Sequence, residues 1–406
     1  MNSSSLTAHP ICIFVGTWTL VFLLYGLGLS GQLIFDVEDF LYLYALIVCG
    51  FLFAYFCTHQ LLVLASRSGS SPPPRPQAST LDPSDAWARA VMLQRARGLL
   101  ELWAIATVLE VIVSGGVPIV WLFTGNPKTY QDFGIPSVHG LLISMLLACA
   151  MLSFYLYLDT GRRRYLATPA CALLWFVISV TRAFFIGLLL QMLFLYLVKR
   201  RLTTGQVTKI AIGFLLVVVA FGALGDFRQG SADLIRSLAK PTSRYPDWLP
   251  SGFLWVYIYL ATPLNNLFNT IQLSPSIDGI SLAATTSQLL PSFIRHVIFP
   301  ASFATQGTLV DTSLNVSTSF APPYLDMGLL GIVLYAALFG IAGGVFWFFR
   351  RDHYYALGYS FIAQALALSI FFSFLLNLPF LFQLVWFRYL LRPAAAPSST
   401  AISRAA

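Results

Sequence analysis

FVISVTRAFFIGLLLQ, residues 176–191, decides how the chain is read. It is apolar but for one guanidinium, and an arginine at the middle of a bilayer costs at least roughly 2.5–3.5 kcal/mol. Arg182 therefore has to reach a polar surface. The surrounding run 167–198 is bracketed by Arg162, Arg163 and Arg164 on one side and Lys199, Arg200 and Arg201 on the other. Lys and Arg in short loops face the cytoplasm, so both ends lie on one side and the run crosses twice or not at all. Two full crossings need about 40 residues, and this run has 32. Two arms of roughly 16 residues, about 24 Å each, make a short hairpin. Its apex, Ser179–Arg182, is expected somewhat below the outer surface, at the depth of lipid phosphates.

Outward from the hairpin the chain has the same character. Of 406 residues 57% are hydrophobic, 34 are Phe, and 10% are charged, against about 25% charged in a soluble domain. It reads as an all-α, polytopic integral membrane protein. Expected spans are 11–29, 40–65, 99–122, 140–158, 326–349, 357–376 and about 379–391, with three more between 167 and 225, two of them short. The N-terminus lacks the basic region of a signal peptide, so 11–29 is kept as the first helix. Arg67, Arg75, Arg89, Arg95 and Arg97, the two clusters at the hairpin, and Arg350 with Arg351 alternate with outer loops that hold only Lys128. That alternation fits about ten spans with both termini inside. It also accounts for most of the net charge of +8 without a nucleic-acid partner. All five cysteines lie in apolar runs and the five histidines are scattered, so no disulfide framework, haem or metal site is expected.

The expected organisation has four parts. Residues 1–225 form an N-terminal transmembrane bundle, containing a cytoplasmic linker (66–98, with SGSSPPPRPQAST at 68–80) and the hairpin. Residues 226–325 form a large outer loop, 326–391 the C-terminal helices, and 392–406 a cytoplasmic tail. Within the loop FLWVYIYLATPL (253–264) is apolar but too short to span, so 252–272 is read as interfacial or re-entrant. A loop longer than about 15 residues is usually functional or disordered. No internal repeat of the transporter type is visible.

Five stretches in succession carry a resemblance: EVIVSGGVPIV (110–120), YQDFGIPSVHG (130–140), VTRAFFIGLLLQ (180–191), GDFRQG (225–230) and WVYIYLATPLNNL (255–267). In this order the chain resembles the Wzy-type oligosaccharide repeat-unit polymerases of O-antigen and exopolysaccharide synthesis, over residues 99 to about 380. The resemblance implies a GT-C-like membrane glycosyltransferase of the bacterial inner membrane, working at the periplasmic face. It would transfer a growing glycan from undecaprenyl pyrophosphate to the non-reducing end of a new lipid-linked unit. No nucleotide sugar, metal or other cofactor would be required. Whether it works alone or with a polysaccharide chain-length regulator stays open. The alternatives are an O-antigen ligase, which passes the glycan to a different acceptor, and a lipid-linked glycan transporter.

Such a reaction expels a pyrophosphate, so negative charge has to be stabilised as the glycosidic bond breaks. Arginine suits this, because its fork is always charged and matches phosphate oxygens in pairs. Arg182 leads, followed by Arg228, Arg236, Arg244 and Arg295, with Lys240 beside them. An acceptor hydroxyl also calls for a general base. Glu110, deep in its span, and His139, at the outer start of another, are the candidates, with Asp132 and Asp226 weaker; Glu110 would alternatively orient an arginine. Trp255, Tyr257 and Tyr259 would stack on sugar rings, and Asn265 and Asn266 would bond glycan hydroxyls or cap a helix break after Pro263.

Overall fold

The computed structural model describes residues 7–67, 86–200, 233–246, 248–274, 280–299 and 305–393, with scattered positions between 203 and 219. The stretch 68–80, much of the third span expected between 167 and 225, Asp226, Arg228 and the tail from 394 lie outside the described residues. Every regular element among the described residues is helical, apart from an isolated bridge between Ser30 and Pro241. Five helical stretches are long and apolar enough to cross a membrane: Glu38–Arg67, Ala86–Thr124, Val138–Thr160, Arg182–Lys199 and Ala321–Phe348. Pro10–Gly26 and Leu378–Leu390 are shorter apolar helices. The chain is an α-helical membrane protein.

In chain order the helices are α1 (Pro10–Gly26), α2 (Leu41–Arg67), α3 (Ala86–Ser114), α4 (Pro118–Thr124), α5 (Val138–Thr160), α6 (Ala167–Ile178) and α7 (Arg182–Lys199). Then come α8 (Asp233–Ala239), α9 (Ser251–Leu273), α10 (Ala283–Thr286), α11 (Ser292–Ile298), α12 (Ala321–Phe348), α13 (His353–Ala367), α14 (Leu378–Leu381) and α15 (Gln383–Leu390). They form two compact units. The first comprises Met1–Gln60, Tyr196–Trp347 and Phe361–Phe380; the second comprises Leu61–Leu195, Phe348–Ser360 and Leu381–Ala406.

The second unit is built around α5, whose apolar stretch is 89% buried against α3, α6 and α15. Trp386 Nε1 on α15 donates to Ser144 Oγ on α5 (2.8 Å). Arg95 on α3 donates to the terminal carbonyls of Tyr389 (3.2 Å) and Leu390 (3.4 Å), a cation capping the negative end of α15. The hairpin turns at Ser179–Thr181 between arms of 12 and 18 residues, about 18 and 27 Å long. The arms are less equal than the sequence reading expects, because Tyr165 and its neighbours spend a turn of 3₁₀ helix, Arg163–Leu166, before α6 begins.

The first unit is organised by α9. Of the two alternatives weighed for Asn265 and Asn266, the capped break after Pro263 does not occur: the helix runs unbroken for 23 residues, about 34 Å. Proline removes one helical N–H, and the amides beyond it hold the helix in place. Asn265 Oδ1 accepts from Tyr25 Oη (2.8 Å) and Ile34 N–H (3.2 Å), while its Nδ2 donates to Gln32 O (2.9 Å). Asn266 Nδ2 donates to Leu314 O and Val316 O (2.8 Å each), and its Oδ1 accepts from Val310 N–H (2.9 Å). Asn269 Nδ2 donates to Thr308 O (3.0 Å), and Thr270 Oγ1 accepts from Thr308 N–H (2.9 Å). One side of α9 thus satisfies the segment 29–34 and the other satisfies 308–316. Against α2 the backbone of α12 approaches so closely that a Cβ on Gly340 would stand 2.9 Å from Tyr55 N, the close packing that small residues allow.

Two other expected spans differ. The run 99–122 is interrupted at Gly115–Val117, between α3 and α4, and α3 begins inside the segment read as linker. The run 357–376 stops being helical after Ala367, because Ser369 is taken by neighbours: Ser319 N–H donates to its carbonyl (2.9 Å) and Trp18 Nε1 to its hydroxyl (2.9 Å).

Asn266→Leu would orphan two carbonyls and one N–H of the 310–316 segment. It is expected to cost about 2–4 kcal/mol at roughly 1 kcal/mol per bond and to expose that segment to protease. Asn269→Leu removes a single bond and should lower the thermal midpoint in detergent by a smaller step. Equal midpoints for the two variants would contradict this account.

Candidate active site

The site begins where α3 ends. Gly115 and Gly116, at φ of 75° and 136°, turn the chain away and leave the last carbonyls of α3 to find donors. Lys128 supplies one: Nζ donates to Ser114 O (2.7 Å) while lying 5.5 Å over the Trp121 ring. Glu110 and Ser114, four residues apart, share one helix face and lace the following loop onto it. Ser114 Oγ accepts from Gly134 N–H (2.9 Å), and Glu110 Oε1 accepts from Ile135 N–H (3.1 Å).

The other carboxylate oxygen, Glu110 Oε2, accepts from His139 Nδ1 at 2.9 Å. Glu110 is 1% exposed and the imidazole 20%. A buried carboxylate is tolerable only when paired and hydrogen-bonded, and here both oxygens are engaged. With Nδ1–H donating, Nε2 carries the lone pair, and no other group among the described residues bonds the ring. The geometry matches a carboxylate that fixes the tautomer and direction of a basic histidine. Around the ring, Phe133 makes an edge contact with His139 (5.2 Å) and Trp175 backs Phe133 (6.0 Å). Two backbone features set the approach. Ser137, the residue before α5, holds φ 71°, strain of order 1–3 kcal/mol for a residue with a side chain. At Gly134 (φ +92°) a Cβ would meet His139 Cγ at 2.7 Å.

Arg182 opens α7. Ser179 Oγ and Thr181 Oγ1 share a hydrogen bond of 2.8 Å in the hairpin turn, and Phe185 N–H reaches Thr181 O. Since α6 runs antiparallel to α5 after a tight turn, this apex lies toward the end of α5 that carries His139. Trp175, one turn before the apex, packs on Phe133. Arg182 is exposed and makes no ion pair or hydrogen bond among the described residues. Its guanidinium adds to the positive end of the α7 dipole.

The remaining predicted residues sort by surroundings. Asp132 accepts from Thr129 N–H (2.7 Å) and Thr129 Oγ1 (3.0 Å) in a capping box, which holds its exposed carboxyl below the usual carboxylate value; it closes a turn. Arg236, Arg244 and Arg295 belong to the first unit. Arg244 donates weakly to Leu27 O (3.4 Å) and Arg295 to Gln288 Oε1 (3.1 Å), while Arg236 sits in α8. Tyr257, Asn265 and Asn266 point inward, the tyrosine accepting from Leu29 N–H (3.0 Å), so the two asparagines hold the chain's own backbone where glycan hydroxyls were expected. Trp255 and Tyr259 stand as a tilted pair 6.1 Å apart. Sequence reading missed Ser114 and Lys128. The Glu-x-x-x-Ser spacing and the solitary cation of the outer loops were the available signals.

No family model, curated protein or solved structure matches the chain.

Gly134→Ala should press a methyl group into the His139 ring and strain a left-handed backbone, at about 1–3 kcal/mol. The expected result is a His139 ring displaced from Glu110, read as a changed imidazole resonance by NMR of labelled protein. An unchanged resonance and thermal midpoint would show that the loop has room to spare.

Proposed function

We propose that this chain is an oligosaccharide repeat-unit polymerase, a glycosyltransferase of the bacterial inner membrane with about ten spans, a GT-C-like architecture, cytoplasmic termini and a periplasm-facing site. The observation that carries the reading is the buried Glu110 carboxylate bonded to Nδ1 of His139, an imidazole that keeps part of its surface exposed. Glycosyl transfer to a hydroxyl makes use of such a base.

In this mechanism the acceptor hydroxyl of a lipid-linked repeat unit gives its proton to His139 Nε2 while its oxygen bonds to the anomeric carbon of the growing glycan. The bond from that carbon to the pyrophosphate breaks, and undecaprenyl pyrophosphate leaves with the electron pair. Glu110 steadies the imidazolium that forms. Arg182, at the positive end of α7, receives the developing charge on the phosphate oxygens. Arginines in the outer loop, Arg228, Arg236, Arg244 and Arg295, would assist in drawing the carrier. The polar chemistry of a diphosphate thereby meets a paired-donor cation.

The test is elongation of a defined lipid-linked repeat by purified protein, with and without EDTA. Wild type should build polymer in both. His139→Ala should lose about 10²–10⁴-fold in rate, the usual worth of a general base, and Arg182→Ala about 10²–10³-fold. Arg182→Lys should recover little, since paired phosphate contacts are lost. Full polymer from Arg182→Ala, or attachment to a different acceptor with no elongation, would overturn the assignment. Topology is checked separately: a cysteine at Gln131 should react with an impermeant maleimide in intact spheroplasts and one at Arg163 should not.

A further inference from the structure

Asp326, in the second turn of α12, is a buried carboxylate that the proposed reaction does not use. Its oxygens accept from Ala284 N–H (2.9 Å) and Thr285 N–H (2.7 Å), and its carbonyl accepts from Ser281 N–H (3.0 Å). The stretch 281–285 is thereby pinned to the start of a helix long and apolar enough to cross a membrane. The level of that anchor can be read from α2. Gly50 lies against Val333 and Ala336, Gly340 against Ala54 and Tyr55, and Gly344 against Thr58. The two helices therefore run parallel and in register, and α2 begins at the level of Asp326. Leu41 at the start of α2 and Leu329 and Leu330 on α12 are exposed. They begin the apolar strip that both spans turn to lipid.

Past the anchor the chain passes through a turn of 3₁₀ helix, Ser287–Leu289, into α11. Arg295 Nη1 donates to Gln288 Oε1 (3.1 Å) and folds α11 back on that turn. At 3.6 residues per turn, Phe293, Ile294, Val297 and Ile298 share one arc of about 140°, and Arg295 falls outside it. Phe293, Val297 (86%) and Ile298 are exposed, as are Ile280 (80%) and Leu282 beside the anchor. Large apolar side chains left bare together mark an interaction surface. Ile280 and Leu282 flank residues bonded to α12, so the patch continues the lipid-facing strip. The stretch 280–299 also carries no acidic residue, which suits a surface of phosphates. We propose that 280–298 is a membrane-interface element. In it α11 lies in the plane of the leaflet at this end of α12, its apolar arc about 5–10 Å into the acyl boundary and Arg295 on the headgroup side. This holds whether or not the chain transfers sugar.

The test is carbene footprinting of full-length wild-type protein in nanodiscs of phosphatidylethanolamine and phosphatidylglycerol. One reagent is a phospholipid with a diazirine in its acyl chain, the other a charged, water-soluble diazirine. Adducts are mapped by mass spectrometry. The acyl reagent should label 293–298 as it labels 329–334, and the water-soluble reagent should spare both. Val297→Asp should lower acyl labelling of 293–298 about tenfold, the worth of about 1.4 kcal/mol, with 329–334 unchanged as the sign of a folded, inserted chain. Should that variant fail to insert, the wild-type map alone decides. Labelling of 293–298 by the water-soluble reagent and not by the acyl reagent puts α11 in water and overturns the proposal. Silence toward both reagents also overturns it, and the particle's mass then shows whether a second copy of the chain covers the patch. Labelling by both reagents that Val297→Asp leaves unchanged overturns it as well.

Discussion

A carboxylate enclosed in apolar surroundings has to be met by donors, or it is not kept. Glu110 is held that way, and one end of the second unit follows from it. One oxygen takes the Ile135 N–H, which brings the loop 126–137 back over α3; the other takes His139, which ties that loop to α5. Ser114 repeats the gesture one turn later, and Lys128 closes the end of the helix. The same logic governs the first unit with neutral groups. Four successive polar side chains of α9 are buried because two loops supply backbone partners.

What sequence could and could not show follows from where these partners come from. The hairpin was legible because its limits are set by length and by charges within a few residues. Glu110 and His139 were each legible as oddities, a carboxyl too deep and an imidazole at a helix start. Their contact was not, since it depends on a tight return between them that two glycines and a strained Ser137 create. The path of α9 was hidden for a related reason. Asn265, Asn266, Asn269 and Thr270 lower its hydropathy below that of a span, and the segments that satisfy them lie some 40 to 240 residues away in sequence. Nothing local announces such a partner.

The residues proposed to read sugar divide by the same principle. Tyr257 and Asn265 face the segment 29–34, where every polar atom they offer has a backbone counterpart available. Trp255 and Tyr259 lie on the flank shared with Asn266, beside residues 313–316. Aromatic type alone does not separate these two pairs. Helical phase does, because two residues of step rotate a side chain by about 200° at 3.6 residues per turn.

Burial also assigns the chemistry within the dyad. At 1% exposure, with both oxygens occupied, Glu110 is not placed to take the proton of an acceptor hydroxyl in the proposed reaction. The imidazole is the group that both touches the carboxylate and retains contact with the outside. In the proposed reaction the proton would therefore pass through Nε2, and the carboxylate would hold the tautomer that makes Nε2 the acceptor and offset the charge that arrives there. Glu110→Gln keeps a hydrogen-bonding side chain but turns one end into a donor. The amide would then be free to offer N–H to Nδ1, which places the ring proton on Nε2 and leaves the histidine without a lone pair where the proposed reaction needs one.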